Sequence, residues 1–305
     1  MSSAKSTLTS GPITEIGFVG LGQMGRPMAA LLAKAGYKLR VFDANPAAAS
    51  AFAAASPAKV CATAAEVAVG VQVYITMLPD GRAVREVLIG PGRAAGVLAP
   101  GAIVADMSSS DPVGTRKLGE ALAKRSVPLV DAPVSGGVAR AKDGTLAIMA
   151  GGDPKAIERL RPVFEKVGNK VFLTGALGSG HAMKALNNYV SAAGLVAAAE
   201  AILIGRAFGL DPEVMTDVLN ASTGRNNSTD VKLKQHILSG KFGTGFSVGL
   251  MAKDLATASD LSDAVGANAL FARQCSGLWA EAARNLGPGA DHSEIYRYLE
   301  KRGKK

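Results

Sequence analysis

Several residue types that mark common protein classes are scarce in this chain. Aromatic side chains make up 5% of its 305 residues, with a single tryptophan. Basic residues are dispersed and not interleaved with aromatics, which argues against a nucleic-acid surface. There are two cysteines, Cys61 and Cys275, too far apart in the chain to form a disulfide framework. They read as reduced thiols in a cytoplasmic protein. Three histidines and two cysteines without clustered spacing give no expected metal site. Long apolar runs are also missing. The nearest, residues 192–204, is interrupted by Gly194 and Glu200, so no membrane association is expected. Acidic residues are the minority charge. The net charge is +9, of which the terminal KRGKK supplies four, leaving +5 (9 − 4) on the body. A mildly positive field suits an anionic cofactor and a carboxylate substrate.

Hydrophobic residues are plentiful at 48%, enough for a sizeable core, and the length allows two domains. Residues 1–12, rich in Ser and Thr, read as a disordered leader rather than a targeting segment. The first half alternates short apolar runs with Ala-rich helical segments. Strands are expected at 14–19, 38–42, 71–77, 102–106 and 128–131, with 146–150 and 170–173 extending one edge. Asn45-Pro46 reads as a helix cap followed by proline at the first helical position. This alternation predicts a parallel, doubly wound Rossmann domain over 13–175. Beyond 175 the strand signals stop. Residues 179–208 read as one helix, Asp211-Pro212 opens another, and breaks are expected at 222–229 and 239–247. The fold class is therefore α/β: a Rossmann domain joined by a long helix to an all-α domain over 176–305, which carries substrate binding and oligomerisation. The apolar run 192–204 exceeds what a small domain would cover, so a homodimer or homotetramer is expected through it.

Directly after the first strand comes Gly20-Leu21-Gly22-Gln23-Met24-Gly25, a G-x-G-x-x-G turn opening a helix. The first glycine permits the turn, the second lets backbone approach a pyrophosphate, and the third allows close helix–strand packing. Asp43 ends the second strand 21 residues after Gly22. A carboxylate there accepts hydrogen bonds from ribose hydroxyls and repels a 2′-phosphate, which favours NAD over NADP.

With these motifs in hand, the chain resembles the β-hydroxyacid dehydrogenases, a family that includes tartronate semialdehyde reductase and 3-hydroxyisobutyrate dehydrogenase, which its motifs look most like. GFVGLGQMGRPM (17–28) is similar to the family's amino-terminal signature. TMLPDGRAV (76–84) resembles the loop whose Leu78-Pro79 lies near the cofactor. DMSSSDP (106–112) resembles the loop that sets a hydroxyl, Ser109, near the nicotinamide. DAPVSGG (131–137) resembles the substrate-carboxylate loop, giving Ser135, Gly136 and Gly137. GHAMKALNN (180–188) resembles the catalytic helix, and FSVGLMAKDL (246–255) places Lys253 beside the cofactor. The resemblance runs from about residue 13 to 300.

The resemblance implies an NAD-dependent dehydrogenase of a small anionic 3-hydroxy acid, with Lys184 and Asn188 as catalytic residues. Their spacing of four puts them on one helix face. Burial would lower the lysine pKa towards the working range of a general acid–base. It would take the hydroxyl proton in oxidation and return it in reduction. Asn188 can donate to the substrate oxygen. Asn187, about 100° away on the helix, is expected to be structural. Two departures stand out. Ala83 occupies a position where relatives carry a polar residue. In the segment STGRNNSTD, Asn226 and Asn227 replace an aromatic residue, so both are expected to line the pocket and to favour a more polar substrate, such as serine or threonine. The alternatives are a tartronate semialdehyde reductase and a non-catalytic dinucleotide-binding protein.

Overall fold

The computed structural model describes Leu8 and residues 11–91 and 93–303. The expected disordered leader over 1–12 lies mostly outside the described residues. Contacts divide the chain into two compact units, 1–184 and 185–305.

The first unit holds a nine-stranded sheet among its described residues. The strands are β1 (Glu15–Val19), β2 (Lys38–Phe42), β3 (Ala58–Val60), β4 (Val73–Thr76), β5 (Ile103–Asp106), β6 (Leu129–Asp131), β7 (Val134–Ser135), β8 (Leu146–Gly151) and β9 (Gly168–Gly175). Their order is β3-β2-β1-β4-β5-β6-β8-β7, with β9 paired to β8. The ladders from β3 to β6 are parallel, β8 is antiparallel to β6 and β7, and β9 is parallel to β8. This is a doubly wound sheet whose connection order reverses between β1 and β4, where such folds open a crevice at the strand carboxyl ends. Side chains alternate between two covered faces. Ile16, Phe18, Val73, Ile75 and Ile103 pack with Met28, Leu32 and Phe164 on one side. Val19, Tyr74 and Val104 pack with Val67, Leu88 and Leu122 on the other. Both faces being buried explains why the strands read as unbroken apolar runs. The sequence reading omitted β3 and β7, which have three and two residues. β3 lies at the sheet edge with Lys59 and Val60 exposed, so it lacks a core pattern to read.

The described residues of the second unit form helices and connecting loops, with one isolated β-bridge between Ser247 and Asp291. The helix Ser179–Phe208 has 30 residues and matches the expected span. Asp211 caps Pro212–Ala221 through the N–H groups of Glu213 and Val214. Asn227–Val231, a π-helical turn Leu233–Leu238, Val248–Ala264, Leu270–Leu286 and Ile295–Arg302 follow. The core contains Leu195, Ala199, Ile202, Leu233, Trp279 and Ile295, all fully buried.

Three expectations need correction. First, the break at 222–229 is shorter, because Asn226 caps a helix that starts at Asn227. Second, the run 192–204 is not a free apolar surface. Ala192, Leu195, Ala198, Ala199 and Ile202 are at most 4% exposed within their own unit. Third, counting uninterrupted apolar residues understates the long helix. By length and composition it is apolar enough to cross a membrane, with 39% of the relevant window buried in the protein. The buried share is the stripe that fills the helical core. The division between compact units falls at Lys184, nine residues past the expected 175 (184 − 175), because the first turns of the long helix are bound into the first unit.

The loop after β1 shows how tightly the first unit is built. Gly20 has φ +99, and a Cβ on Gly25 would overlap the Gly20 carbonyl oxygen. Because that oxygen is backbone and cannot swing aside, Gly25→Ala should destabilise the unit by about 3 kcal/mol, at the upper end of overpacking costs. A urea unfolding curve reads this directly, and an unchanged midpoint would contradict the packing argument.

Candidate functional site

The dinucleotide signature folds as its glycines require. Where Gly20 and Gly25 are crowded, an added Cβ on Gly22 would meet nothing within 4 Å. That leaves open the face on which the pattern places a pyrophosphate. Asp43 accepts from the Leu21 N–H at 2.6 Å and from the Asn45 N–H at 2.8 Å. Its carboxylate therefore ties the glycine turn to the end of β2, and each oxygen keeps a lone pair for ribose. Asn45 caps the next helix by accepting from Ala47 N–H. Beside the loop is a cavity of about 480 Å³, lined by Leu21, Gly22, Gln23, Arg26, Phe52 and Lys142 among others. Its size and its two cations suit part of a dinucleotide. Met24 precedes the first helix as its cap residue.

The loops after β4 and β5 are joined by a buried acid. Asp106 accepts from Thr76 Oγ1 at 2.9 Å, from Ser108 N–H at 3.0 Å and from Ser110 Oγ at 2.7 Å. Ser108 Oγ in turn accepts from the Leu78 N–H at 2.9 Å, which fixes Leu78-Pro79. Ser108 and Ser110 thus turn inward, while Ser109 between them is partly exposed. After β6, Ser135 ends β7, and Gly136 and Gly137 adopt φ +137 and +71. A Cβ on Gly137 would touch nothing within 4 Å, so its surroundings are open to a ligand.

The start of the long helix is held by a second buried acid that the sequence reading did not single out. Asp131 is fully buried and accepts from Gly178 N–H and His181 N–H, each at 2.8 Å. Burial pushes its carboxyl pKa up, against the His181 ring and these two N–H groups. The His181 Nδ1 lies 2.8 Å from Thr115 Oγ1, whose own proton goes to the Asp111 carbonyl. The hydroxyl therefore accepts from Nδ1–H. His181 Nε2 lies 3.6 Å from Asp106 Oδ2. Gly180 is needed for the close fit, since a Cβ there would overlap the Met149 carbonyl. Lys184 follows His181 by three residues, so its helix starts from a rigid base.

Further along this helix, in the second unit, Asn188 is 7% exposed. Its Nδ2 donates to Asp254 Oδ2 at 2.5 Å, and its Oδ1 accepts from Asn187 at 3.1 Å. Asp254, 4% exposed, pairs through Oδ1 with Lys253 Nζ at 3.0 Å. The sequence reading set Asp254 beside Lys253 only as the acid of a helix-surface ion pair; the structure buries it and connects it to Asn188. The signal was there, as an acid beside the lysine in a helix otherwise facing the core.

The segment after 222 differs from expectation. Asn226 Oδ1 accepts from Ser228 and Thr229 N–H, and Thr229 Oγ1 accepts from Asn226 N–H, a reciprocal capping box. The carboxamide of Asn226 also lies along Gly194 of the long helix. Asn227 is exposed as the first helical residue. Both asparagines therefore start a helix instead of presenting buried polar groups. The buried charged group of this segment is Lys232, 9% exposed, whose Nζ donates to Ser191 Oγ at 3.4 Å. Sequence reasoning missed it because a lysine in VKLKQHI reads as a solvated helix face. Among the described residues no cluster of His, Cys, Asp and Glu could hold a metal ion.

Comparison with known proteins decides the family. A family model described as the NAD binding domain of 6-phosphogluconate dehydrogenase matches residues 15–175. One described as NAD-binding of NADP-dependent 3-hydroxyisobutyrate dehydrogenase matches residues 178–299. The chain belongs to the β-hydroxyacid dehydrogenase family. It is 37% identical over 244 residues to a 2-(hydroxymethyl)glutarate dehydrogenase of Eubacterium barkeri, covering 80% of this chain and 81% of the relative. It is also 37% identical over 256 residues to an NAD-dependent L-serine dehydrogenase of Pseudomonas aeruginosa, covering 82% and 86%. The structure of a Mycobacterium tuberculosis 3-hydroxyisobutyrate dehydrogenase with L-serine superimposes with a TM-score of 0.87 at 35% identity, covering 94% of this chain and 99% of that one. As a β-hydroxyacid dehydrogenase, this protein is an NAD(P)-dependent oxidoreductase acting on a CH–OH group.

Burial also sets a stability cost in the second unit. It lowers the Lys232 pKa from 10.5 to about 8, opposed only by Asp291. Between those values the unfolded chain binds a proton that the native protein does not, so stability rises with pH across that window. Below pH 8 the full cost, about 3 kcal/mol, applies. Lys232→Met should therefore raise the denaturation midpoint at pH 7, with the gain shrinking above pH 8 and vanishing near 10.5. Equal midpoints at pH 7 would refute this reading of the lysine.

Proposed function

We propose that this protein oxidises the hydroxyl of a small β-hydroxy acid reversibly, with Lys184 as general acid–base and NAD preferred over NADP. The observation that carries the reading is the locked Asn188. One helical turn after Lys184, its amide is bound to Asp254 and so to Lys253, which fixes a donor on the face that Lys184 shares. One amide N–H is spent on Asp254, and the other can hold the substrate oxygen.

Gly20 to Gly25, Asp43, Leu78, Pro79 and Ser109 would hold the dinucleotide, which when bound supplies the hydride acceptor. Lys184 Nζ takes the hydroxyl proton during oxidation and returns it to the carbonyl oxygen during reduction. Ser135 Oγ and the N–H groups of Gly136 and Gly137 bind the substrate carboxylate. Asp43 at the ribose position disfavours an added 2′-phosphate.

The relatives act on 3-hydroxyisobutyrate, L-serine and 2-(hydroxymethyl)glutarate. These acids share one unit, HOCH₂–CH(R)–COO⁻, and differ in R. That unit is what the residues above can recognise, and R is where members of the family diverge. The side-chain oxygen of Asn226 is spent on a helix cap, so that atom is not free to read R.

We also propose that the protein is oligomeric. Val190, Ile204 and Phe208 are 68%, 70% and 84% exposed and fall on one face of the long helix, opposite its buried stripe. This face, rather than the 192–204 run as a whole, is the surface for a second copy.

Two measurements test these readings. With NAD and a panel of β-hydroxy acids, the rise in NADH absorbance should exceed that with NADP. Lys184→Ala should lower kcat by at least 100-fold while NADH binding persists. Full turnover in that variant would remove the lysine from the mechanism. Separately, Phe208→Asp should shift sedimentation from oligomer towards monomer, and a wild-type monomer at micromolar concentration would contradict the interface.

A further inference from the structure

Lys232 has no part in the roles assigned above, and its surroundings leave it incomplete. The residue is 9% exposed, yet among the described residues the one hydrogen bond of its ammonium is the 3.4 Å contact to Ser191 Oγ. An ammonium carries three N–H donors, so two remain for a further acceptor. No carboxylate lies within ion-pair distance of it among the described residues. Asp291 acts on it only through space, because the Asp291 oxygens are already bound by Thr244 Oγ1, Gly245 N–H, Ser293 N–H and Ser293 Oγ. A buried cation without an anion is costly.

The backbone turns this lysine away from a regular helical position. Helix Asn227–Val231 stops at Lys232, whose φ and ψ are −122 and −42. The following turn, Leu233–Leu238, is π-helical, with Ile237 N–H reaching back to the Lys232 carbonyl. Such turns concentrate at functional sites.

The place it reaches is specific. Ser191 lies three residues beyond Asn188, about 4.5 Å along the helix axis, and within about 20° of Lys184 around it. Lys232 Nζ therefore reaches the side of the helix that carries Asn188, roughly one turn past it.

We propose that Lys232 binds a second carboxylate, carried on the R group of the β-hydroxy acid, so that the preferred substrate is a dicarboxylic β-hydroxy acid. This deepens the function proposed above and rests on it. A second carboxylate would complete the donors of Lys232 and neutralise its charge. A neutral R would leave them unmet, and an ammonium at R would be repelled.

The test compares 2-(hydroxymethyl)glutarate with 2-(hydroxymethyl)pentanoate, in which a methyl group replaces the distal carboxylate. The wild-type protein should prefer the diacid at least tenfold in kcat/KM. In Lys232→Met that ratio should fall to about one, and in Lys232→Arg a preference should survive. NADH fluorescence titration of each variant reports folding independently. Glutarate titrated into the NADH-saturated protein supplies a second readout, with binding expected in the wild type and lost in Lys232→Met. No diacid preference in the wild type, or a preference retained by Lys232→Met, would overturn the proposal. If neither acid is oxidised, the dehydrogenase reading fails by itself, and glutarate binding still decides whether Lys232 is an anion site.

Discussion

The buried carboxylate of Asp131 holds the long helix to the end of the sheet. It sits at the end of β6 and accepts the N–H groups of Gly178 and His181, two of the donors that a helix start leaves without intrahelical partners. A carboxylate at this position also meets the positive end of the helix dipole. Lys184 comes one turn later along the helix. The close approach depends on Gly180, where any side chain would strike the Met149 carbonyl. A polar anchor of this kind is costly to bury unless fully bonded. Thr115 extends the bonding through His181 Nδ1, while the other ring nitrogen faces Asp106 at 3.6 Å without a hydrogen bond.

A second acid plays the matching part in the helical unit. Asp254 takes a hydrogen bond from Asn188 and an ion pair from Lys253. It fixes which way the Asn188 carboxamide points, since its nitrogen must face the acid and its oxygen faces Asn187. Positioned side chains of this sort lower the cost of ordering a substrate. The acid also restrains the Lys253 ammonium, a long side chain otherwise expensive to hold in one rotamer.

Lys232 shows the opposite economy. Asp131 and Asp254 are surrounded by donors, whereas this buried cation has one long contact. The native protein is less stable for it, and the π turn that follows forgoes regular helical bonding. Retaining both is a trade of stability against function, in line with the general observation that local rules fail where a chain does its chemistry.

The sequence alone determined the architecture of the first unit and the span of the long helix. Apolar runs buried on both faces, a glycine turn after β1 and a proline-marked helix start are local signals, and the chain's own covalent chemistry enforces them. Motif spacing also put Gly20 to Gly25 and Asp43 at strand ends, whereas Lys184 and Asn188 stood out through the resemblance to a family. Only tertiary structure decided which polar residues are buried together. Asp131, Asp254 and Lys232 look like ordinary surface charges in the sequence, since burial and partners depend on segments 41 to 66 residues away, as the bonds of Lys232 to Ser191, of Asp131 to Gly178 and of Asn188 to Asp254 show. Asn226 and Asn227 show the converse. In sequence they suggested a polar pocket, but the fold gives Asn226 a helix to cap, because a side-chain oxygen beside unpaired N–H groups bonds to the backbone first, and it leaves Asn227 exposed as the first helical residue.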